Sequence, residues 1–160
     1  MRILVLSDTH RHIGAVLELL RGDHRFDRIV HLGDLVSDAI DIESVSGVHV
    51  DYVAGNCDWG GDNAPTKKIV HLEGKKIYLC HGHREHVKSG DSVLRQMIRK
   101  DGYDIALYGH THTADITWEG DSLIMNPGSI SLPRDGDPSF GVIQIDTKGL
   151  IHTNIVRIGS

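Results

Sequence analysis

Cysteine is scarce in this chain, with two residues among 160. Cys57 and Cys80 cannot build the disulfide framework of a small secreted module, nor a Cys-rich structural zinc site. Long apolar runs are also missing: no stretch approaches the roughly 18 residues needed to cross a bilayer. The opening segment MRILVLSDTH ends its short apolar run in Asp and His, which is not the layout of a cleavable signal. Both features predict a cytoplasmic protein without a membrane span. Basic excess is lacking as well, since 17 Lys and Arg face 22 Asp and Glu, a net charge of −5. No extended nucleic-acid surface is expected, although a local basic pocket is compatible with that balance. What the chain has in excess is histidine, 12 in all. With 39% hydrophobic and 24% charged residues it reads as globular. The length predicts one domain spanning 1–160, able to bury about 70% of its unfolded surface and leaving little room for a cap domain.

Hydrophobic periodicity divides the chain into two halves. Residues 3–6 form an apolar run of the kind covered on both faces, a first strand. Ile13, Val16, Leu17 and Leu20 fall at helical spacing and are closed by Gly22. A second strand around 29–32 ends at Gly33-Asp34, a short helix is expected over 35–40, and a third strand over 48–53 stops at Gly55-Asn56. This is the rhythm of a parallel sheet with crossover helices. Strands at 69–72 and 77–80 then flank the hairpin signal Glu73-Gly74. A helix over 92–100 has Asp91 or Ser92 as its cap and Gly102 beyond its end. Further strands are expected at 105–108, 115–118, 122–125, 141–145 and 151–156. The pattern predicts a mixed α/β domain of two sheets face to face with helices outside.

Polar residues able to bind metal follow directly on five of these strands. They are Asp8 and His10, Asp34, Asn56, His81 with His83, and His110 with His112. Strand carboxyl ends form the crevice where open α/β sheets bind ligands, so residues scattered in sequence can converge there. In extended chain, positions i and i+2 point the same way, which lets Asp8 and His10, or His110 and His112, serve one region. Carboxylate and imidazole donors without thiolate suit Mn, Fe, Ni, Co or Zn. The donors are too many for one tetrahedral ion and suit two ions with open positions. Two divalent ions sharing Asp8 and Asp34 keep a surplus of positive charge, which a phosphate ester matches.

The run Asp8-x-His10, Gly33-Asp34, Gly55-Asn56-Cys57-Asp58, His81, Gly109-His110-x-His112 resembles the calcineurin-like metallophosphoesterase signature. It spans positions 8–112, and the downstream Asn126-Pro127-Gly128-Ser129 resembles the small YfcE-like phosphodiesterase branch. The resemblance implies a four-layer α/β/β/α sandwich. It also implies that Asp8, His10 and His112 hold one metal, that Asn56, His81 and His110 hold another, and that Asp34 bridges them. Two divalent ions, Mn(2+) first among the candidates with Ni, Fe, Co or Zn as alternatives, would then generate a bridging hydroxide. Ions about 3.5–4 Å apart lower the pKa of a shared water from 15.7 towards roughly 7. The expected function is a phosphodiesterase acting on small phosphate diesters, with Asp34, Asn56 and His81 at the reaction centre.

One departure concerns the leaving group. Many members of the superfamily carry His where this chain has Cys57, and a thiol donates poorly to an alkoxide. Diesters, or esters with acidic leaving groups, should therefore be favoured over alkyl monoesters. His83, Cys57 and Arg134 are the candidate substrate contacts. Blander readings stand beside these. Asp8 taken alone is a helix cap, Asn56 a left-handed turn residue, Arg134 a solvated loop residue, and Trp59 and Trp118 core or rim aromatics. His12, His24, His31, His49, His71, His86 and His152 carry no assigned role. Asn126 to Ser129 is expected to be a turn supporting the ligand loops. Rival functions on the same fold are a protein-binding scaffold like the retromer subunit, a phosphomonoesterase and a nuclease. A homo-oligomer is compatible with the apolar strands of the second half.

Overall fold

The computed structural model describes residues 1–22, 25–56, 58 and 64–158. The first half alternates as expected: β1 (Arg2–Leu6), α1 (Gly14–Arg21), β2 (Arg28–His31), α2 (Val36–Ser46) and β3 (Val50–Tyr52). There follow β4 (Lys67–Leu72), β5 (Lys75–Cys80), a 3-10 turn at Val87–Ser89, α3 (Ser92–Asp101) and β6 (Ile105–Leu107). The chain closes with β7 (Asp115–Glu119), β8 (Ser122–Asn126), β9 (Ser139–Ile145) and β10 (Ile151–Arg157).

These strands make two five-stranded sheets, ordered β10-β9-β1-β2-β3 and β4-β5-β6-β8-β7. In the first, β1, β2 and β3 are parallel while β9 and β10 join antiparallel. In the second, β5, β6 and β8 are parallel, and β4 and β7 are antiparallel partners at the edges.

Alternation along each strand sets the layers. Ile3 and Val5 of β1 join Leu79, Leu107 and Leu123 between the sheets. Leu4 and Leu6 point the other way, onto Val16 of α1 and Ala39 and Ile42 of α2. On the far side, Tyr78, Ala106 and Ile124 pack on Leu94 and Ile98 of α3. The result is the four-layer α/β/β/α sandwich of two mixed sheets. Both faces of the central strands are covered, which is why they read as continuous apolar runs. Leu79 is fully buried between the sheets, and truncating such a residue to Ala costs about 2–5 kcal/mol.

Three details differ from the sequence expectations. Helix α2 runs on to Ser46 rather than stopping at 40. One of its four buried positions is Asp38, beside Val36, Ala39 and Ile42, so the apolar stripe is interrupted by a buried acid. Strand β3 is shorter than 48–53 because its pairing with β2 spans only Val50 to Tyr52. Asp91 precedes α3 without capping it, since its carboxylate accepts from Arg95 Nε at 3.0 Å.

Candidate metal centre

Because β1, β2 and β3 run in parallel, as do β5 and β6, their carboxyl ends deliver five loops to one end of the sandwich. The two sheets are tied together there. His81 Nδ1–H donates to the Leu32 carbonyl at 2.8 Å, and the His110 backbone N–H donates to Asp8 Oδ2 at 3.1 Å. Asp8, Asp34, His81 and His112 are buried, whereas His10 and His110 are half-buried.

All seven predicted ligands meet. Around one side of the cluster, His112 Nε2 lies 3.2 Å from Asp8 Oδ1 and 3.4 Å from His10 Nε2. His10 Nε2 is 3.9 Å from both Asp8 Oδ1 and Asp34 Oδ2. These four residues place one donor atom each within 4.8 Å of one another, a group able to hold a metal ion. On the other side, His81 Nε2 lies 2.9 Å from Asn56 Oδ1, 3.2 Å from His110 Nδ1 and 3.4 Å from Asp34 Oδ1. The two oxygens of Asp34 thus face opposite sides.

The donor set fits a cation on the evidence of its protons. His81 and His112 each give the Nδ1–H to a backbone carbonyl, Leu32 and Leu132, at 2.8 and 2.7 Å. In the neutral ring this leaves Nε2 as a lone pair aimed at the carboxylates, the orientation found in metal-ligating histidines. Asp8 Oδ1 is buried and has no hydrogen-bond donor, a costly state that a cation relieves. Burial raises the Asp8 carboxyl, but the imidazoles of His112 and His81 and the Ser7 hydroxyl outweigh it, so it stays below the ordinary carboxylate value. Asp8 in turn raises His112. His110 moves the opposite way, pushed down to about 4 by burial and by the charges of His81 and Lys88.

The backbone is bent to achieve this convergence. Asp8, His10, Asp34, His110 and His112 all adopt positive φ, between 46° and 72°, a conformation uncommon outside Gly that Asn, Asp and His enter more readily than other side chains. Such strain collects at functional sites and is held by the surrounding structure. Glycines supply the room. A Cβ on Gly109 would run into Ser7 and Asp8, and one on Gly55 into the Asp34 carboxylate.

Several supporting residues lie beyond what sequence patterns reveal. His31 is fully buried and accepts the Gly33 N–H at Nδ1, 3.2 Å away. Its Nε2–H therefore points to Thr9 Oγ1 at 3.0 Å, and the Thr9 hydroxyl in turn donates to Asp38 Oδ2 at 2.5 Å. Asp38 also accepts the Arg11 N–H at 2.8 Å. Burial pushes His31 down to about 4, with Asp38 and Asp8 offsetting only part of that. This chain locks the Asp8 loop onto the Asp34 loop. Asp58 does the same between Asp34 and Asn56, accepting from Leu35 N, Val36 N and Gly55 N at 3.0, 2.7 and 2.7 Å. It thereby satisfies first-turn N–H groups of α2 from outside the helix.

The Asn126-Pro127-Gly128-Ser129 turn supports the ligand loops. Asn126 donates to the Gly109 carbonyl and to Thr111 Oγ1 at 3.1 and 2.9 Å, and Ser129 and Ser131 both donate to the Asp8 carbonyl at 2.8 and 3.0 Å. His83 is half-buried beside His81 and His110, with ring centroids 5.6 and 6.2 Å away, and its Nδ1 has no partner. Arg134 is exposed, and its backbone N–H donates to the His112 carbonyl at 3.0 Å. Cys57, Trp59 and His24 lie outside the described residues. Cys80 is a buried thiol, 3.6 Å from the Leu107 carbonyl. Trp118 lines a different groove with Lys75 and Leu150, at the strand-start end of the sandwich.

Carboxylates and imidazoles converge at the strand ends of this sandwich in a group able to hold a metal ion. The chain belongs to the calcineurin-like phosphoesterase superfamily, whose domain model matches residues 1–148. It is 34% identical over 168 aligned positions to a probable metallophosphoesterase of Methanothermobacter thermautotrophicus, covering all of this chain and 94% of that one. It is 27% identical to phosphodiesterase MJ0936 of Methanocaldococcus jannaschii, covering 92% and 95%. Among solved structures, a predicted phosphoesterase of Streptococcus pneumoniae superposes with a TM-score of 0.77 at 27% identity over 97% of each chain. A D62A mutant of Vps29 from Entamoeba histolytica superposes at 0.78 and 25%, covering 99% of this chain and all of that one. Among the described residues, no helix is long and apolar enough to cross a membrane.

Proposed function

We propose that the protein is a phosphodiesterase with a dinuclear metal site, a single domain without a cap, working in the cytoplasm on small phosphate diesters. The observation that carries this reading is the Asp34 carboxylate, whose two oxygens face separate imidazole clusters. In this reading Asp8, His10 and His112 would hold one ion, Asn56, His81 and His110 the other, and Asp34 would serve both. Two divalent ions, Mn(2+) foremost and Ni, Fe, Co or Zn as alternatives, supply positive charge for the phosphoryl oxygens and a water acidic enough to attack at neutral pH.

The chain's own groups do the positioning. The Leu32 and Leu132 carbonyls fix the His81 and His112 rings with Nε2 inward. Asp8 is held by Ser7 Oγ at 2.6 Å and by the His110 N–H at 3.1 Å, so its Oδ1 stays aimed at the cluster. Asn56 and His81 frame the reacting phosphoryl group, and His83 and Arg134 contact its remaining oxygens. Cys57 leaves the leaving oxygen without an efficient proton donor, which favours diesters and acidic leaving groups. A Cys57→His variant should gain monoesterase activity, and an unchanged diester-to-monoester ratio would count against that role.

The scaffold reading is supported by the likeness to Vps29 in fold. It is disfavoured because every position of the ligand set keeps a competent donor. The deciding experiment strips the protein of metal, refills it with Mn, Ni, Zn or Mg, and measures hydrolysis of a panel of diesters and monoesters. Metal-restored diester hydrolysis is expected, and inactivity on every diester with every metal would overturn the proposal.

A further inference from the structure

A groove of about 640 Å³ opens on the His10 and His112 flank of the cluster. One wall carries Arg11, His12 and Ile13, and the other Ile130 and Leu132. Both walls are continuous with the ligands. Arg11 follows His10 directly, and the Leu132 carbonyl is the group that orients His112. The Arg11 wall is held rigidly, since its backbone sits at φ 67° and its N–H is fixed by the buried Asp38 carboxylate. Half of the Leu132 side chain is exposed, whereas Ile130 beneath it is buried. The volume and the mixture of aliphatic walls with one guanidinium match small-molecule subsites, which run to roughly 300–1,000 Å³.

Stereochemistry decides which part of a diester reaches this groove. In an in-line displacement the attacking water starts from the carboxylate and imidazole floor, and the leaving oxygen departs on the opposite side, towards solvent. The ester group that stays on phosphorus is equatorial and projects sideways across the rim. An ester lying over the His10 and His112 side would reach the groove that Ile13 and Leu132 line. Aliphatic side chains lining an open groove can seat a ring, and Arg11 on the same lining adds a guanidinium able to stack on it. We propose that the groove seats the retained ester group of the substrate and selects an aromatic or heteroaromatic ring there. This rests on the phosphodiesterase reading and adds the substrate class.

The test compares bis(4-nitrophenyl) phosphate with methyl 4-nitrophenyl phosphate, which share a leaving group and differ only in the retained ester. Binding of phenyl phosphate and methyl phosphate, an aryl and an alkyl monoester standing in for the two products, to the manganese-loaded protein is measured in parallel by calorimetry. The wild type should show a KM for the bis-aryl diester lower by roughly 10-fold, and tighter binding of phenyl phosphate by a similar factor. Leu132→Ser and, independently, Ile13→Ser should bring both ratios towards one. Equal binding of the two products by the wild type, or a preference that survives both substitutions, overturns the groove assignment. Failure to hydrolyse either diester would instead strike the phosphodiesterase reading, while the calorimetric ratio would still report on the groove.

Discussion

The two ends of the sandwich are built from the same strands by opposite means. At the strand-start end, turns and helix ends rely mostly on glycine: Gly74, Gly120 and Gly149 in hairpins, and Gly47 and Gly102 closing α2 and α3, all at positive φ, with Glu73 beside Gly74 the non-glycine exception among the described residues. At the strand-finish end the same backbone region is occupied by Asp8, His10, Arg11, Asp34, Leu35, His110 and His112. Glycine adopts that region at no steric cost, whereas other residues there are strained. Strain is therefore concentrated where donor atoms must meet, and buried side-chain hydrogen bonds hold it in place. One end is a set of economical connections; the other gathers side chains able to hold a metal ion.

Substitution at a ligand should have the largest effect on this contrast. Asp34→Asn keeps the size of the side chain but removes the charge between the two imidazole groups. It should lower diester kcat/KM by roughly 10³-fold or more, about 4 kcal/mol, and a loss of less than tenfold in steady-state assays would remove Asp34 from the centre. Glycine-to-alanine exchanges at the two ends come next. At Gly109 a Cβ meets Ser7 and Asp8, so Gly109→Ala should cost about 1–3 kcal/mol in denaturant unfolding and weaken metal binding in calorimetry. At Gly120 a Cβ meets nothing within 4 Å but φ is 61°, so Gly120→Ala should cost about 1 kcal/mol and leave metal affinity unchanged. Equal effects on metal affinity from the two would erase the distinction between the ends.

The His31 chain sharpens the comparison through pH. The imidazole titrates near 6.5 when unfolded and at about 4 when folded, so the unfolded state binds more protons in between. Its contribution is complete above the unfolded value and is lost as pH falls from 6.5 towards 4, about 3 kcal/mol in all. Urea unfolding of metal-free protein should show a shallower pH dependence in His31→Gln, and an unchanged slope would contradict a neutral buried ring.

How much of this was legible in the sequence differs by residue. The strand runs, the hairpin signals and the seven candidate ligands at strand ends stood out because apolar runs and motif order are local signals. The roles of His31, Asp58 and Ser131 did not, since each reaches a loop distant in sequence, whereas Ser129 falls in the turn expected to support the ligand loops. Asp38 hid the length of α2 for the same reason: a buried acid serving Thr9 breaks the apolar period that marks a helix. His83 and Arg134 lie beside the cluster as candidates for substrate contact, whereas Trp118 sits at the far end from it.

Anomalous diffraction from manganese-loaded crystals tests the central claim most directly. The account predicts two manganese peaks per chain, flanking the Asp34 carboxylate, with Asp8, His10 and His112 around one and Asn56, His81 and His110 around the other. A single peak, no peak, or manganese bound away from Asp34 would contradict it.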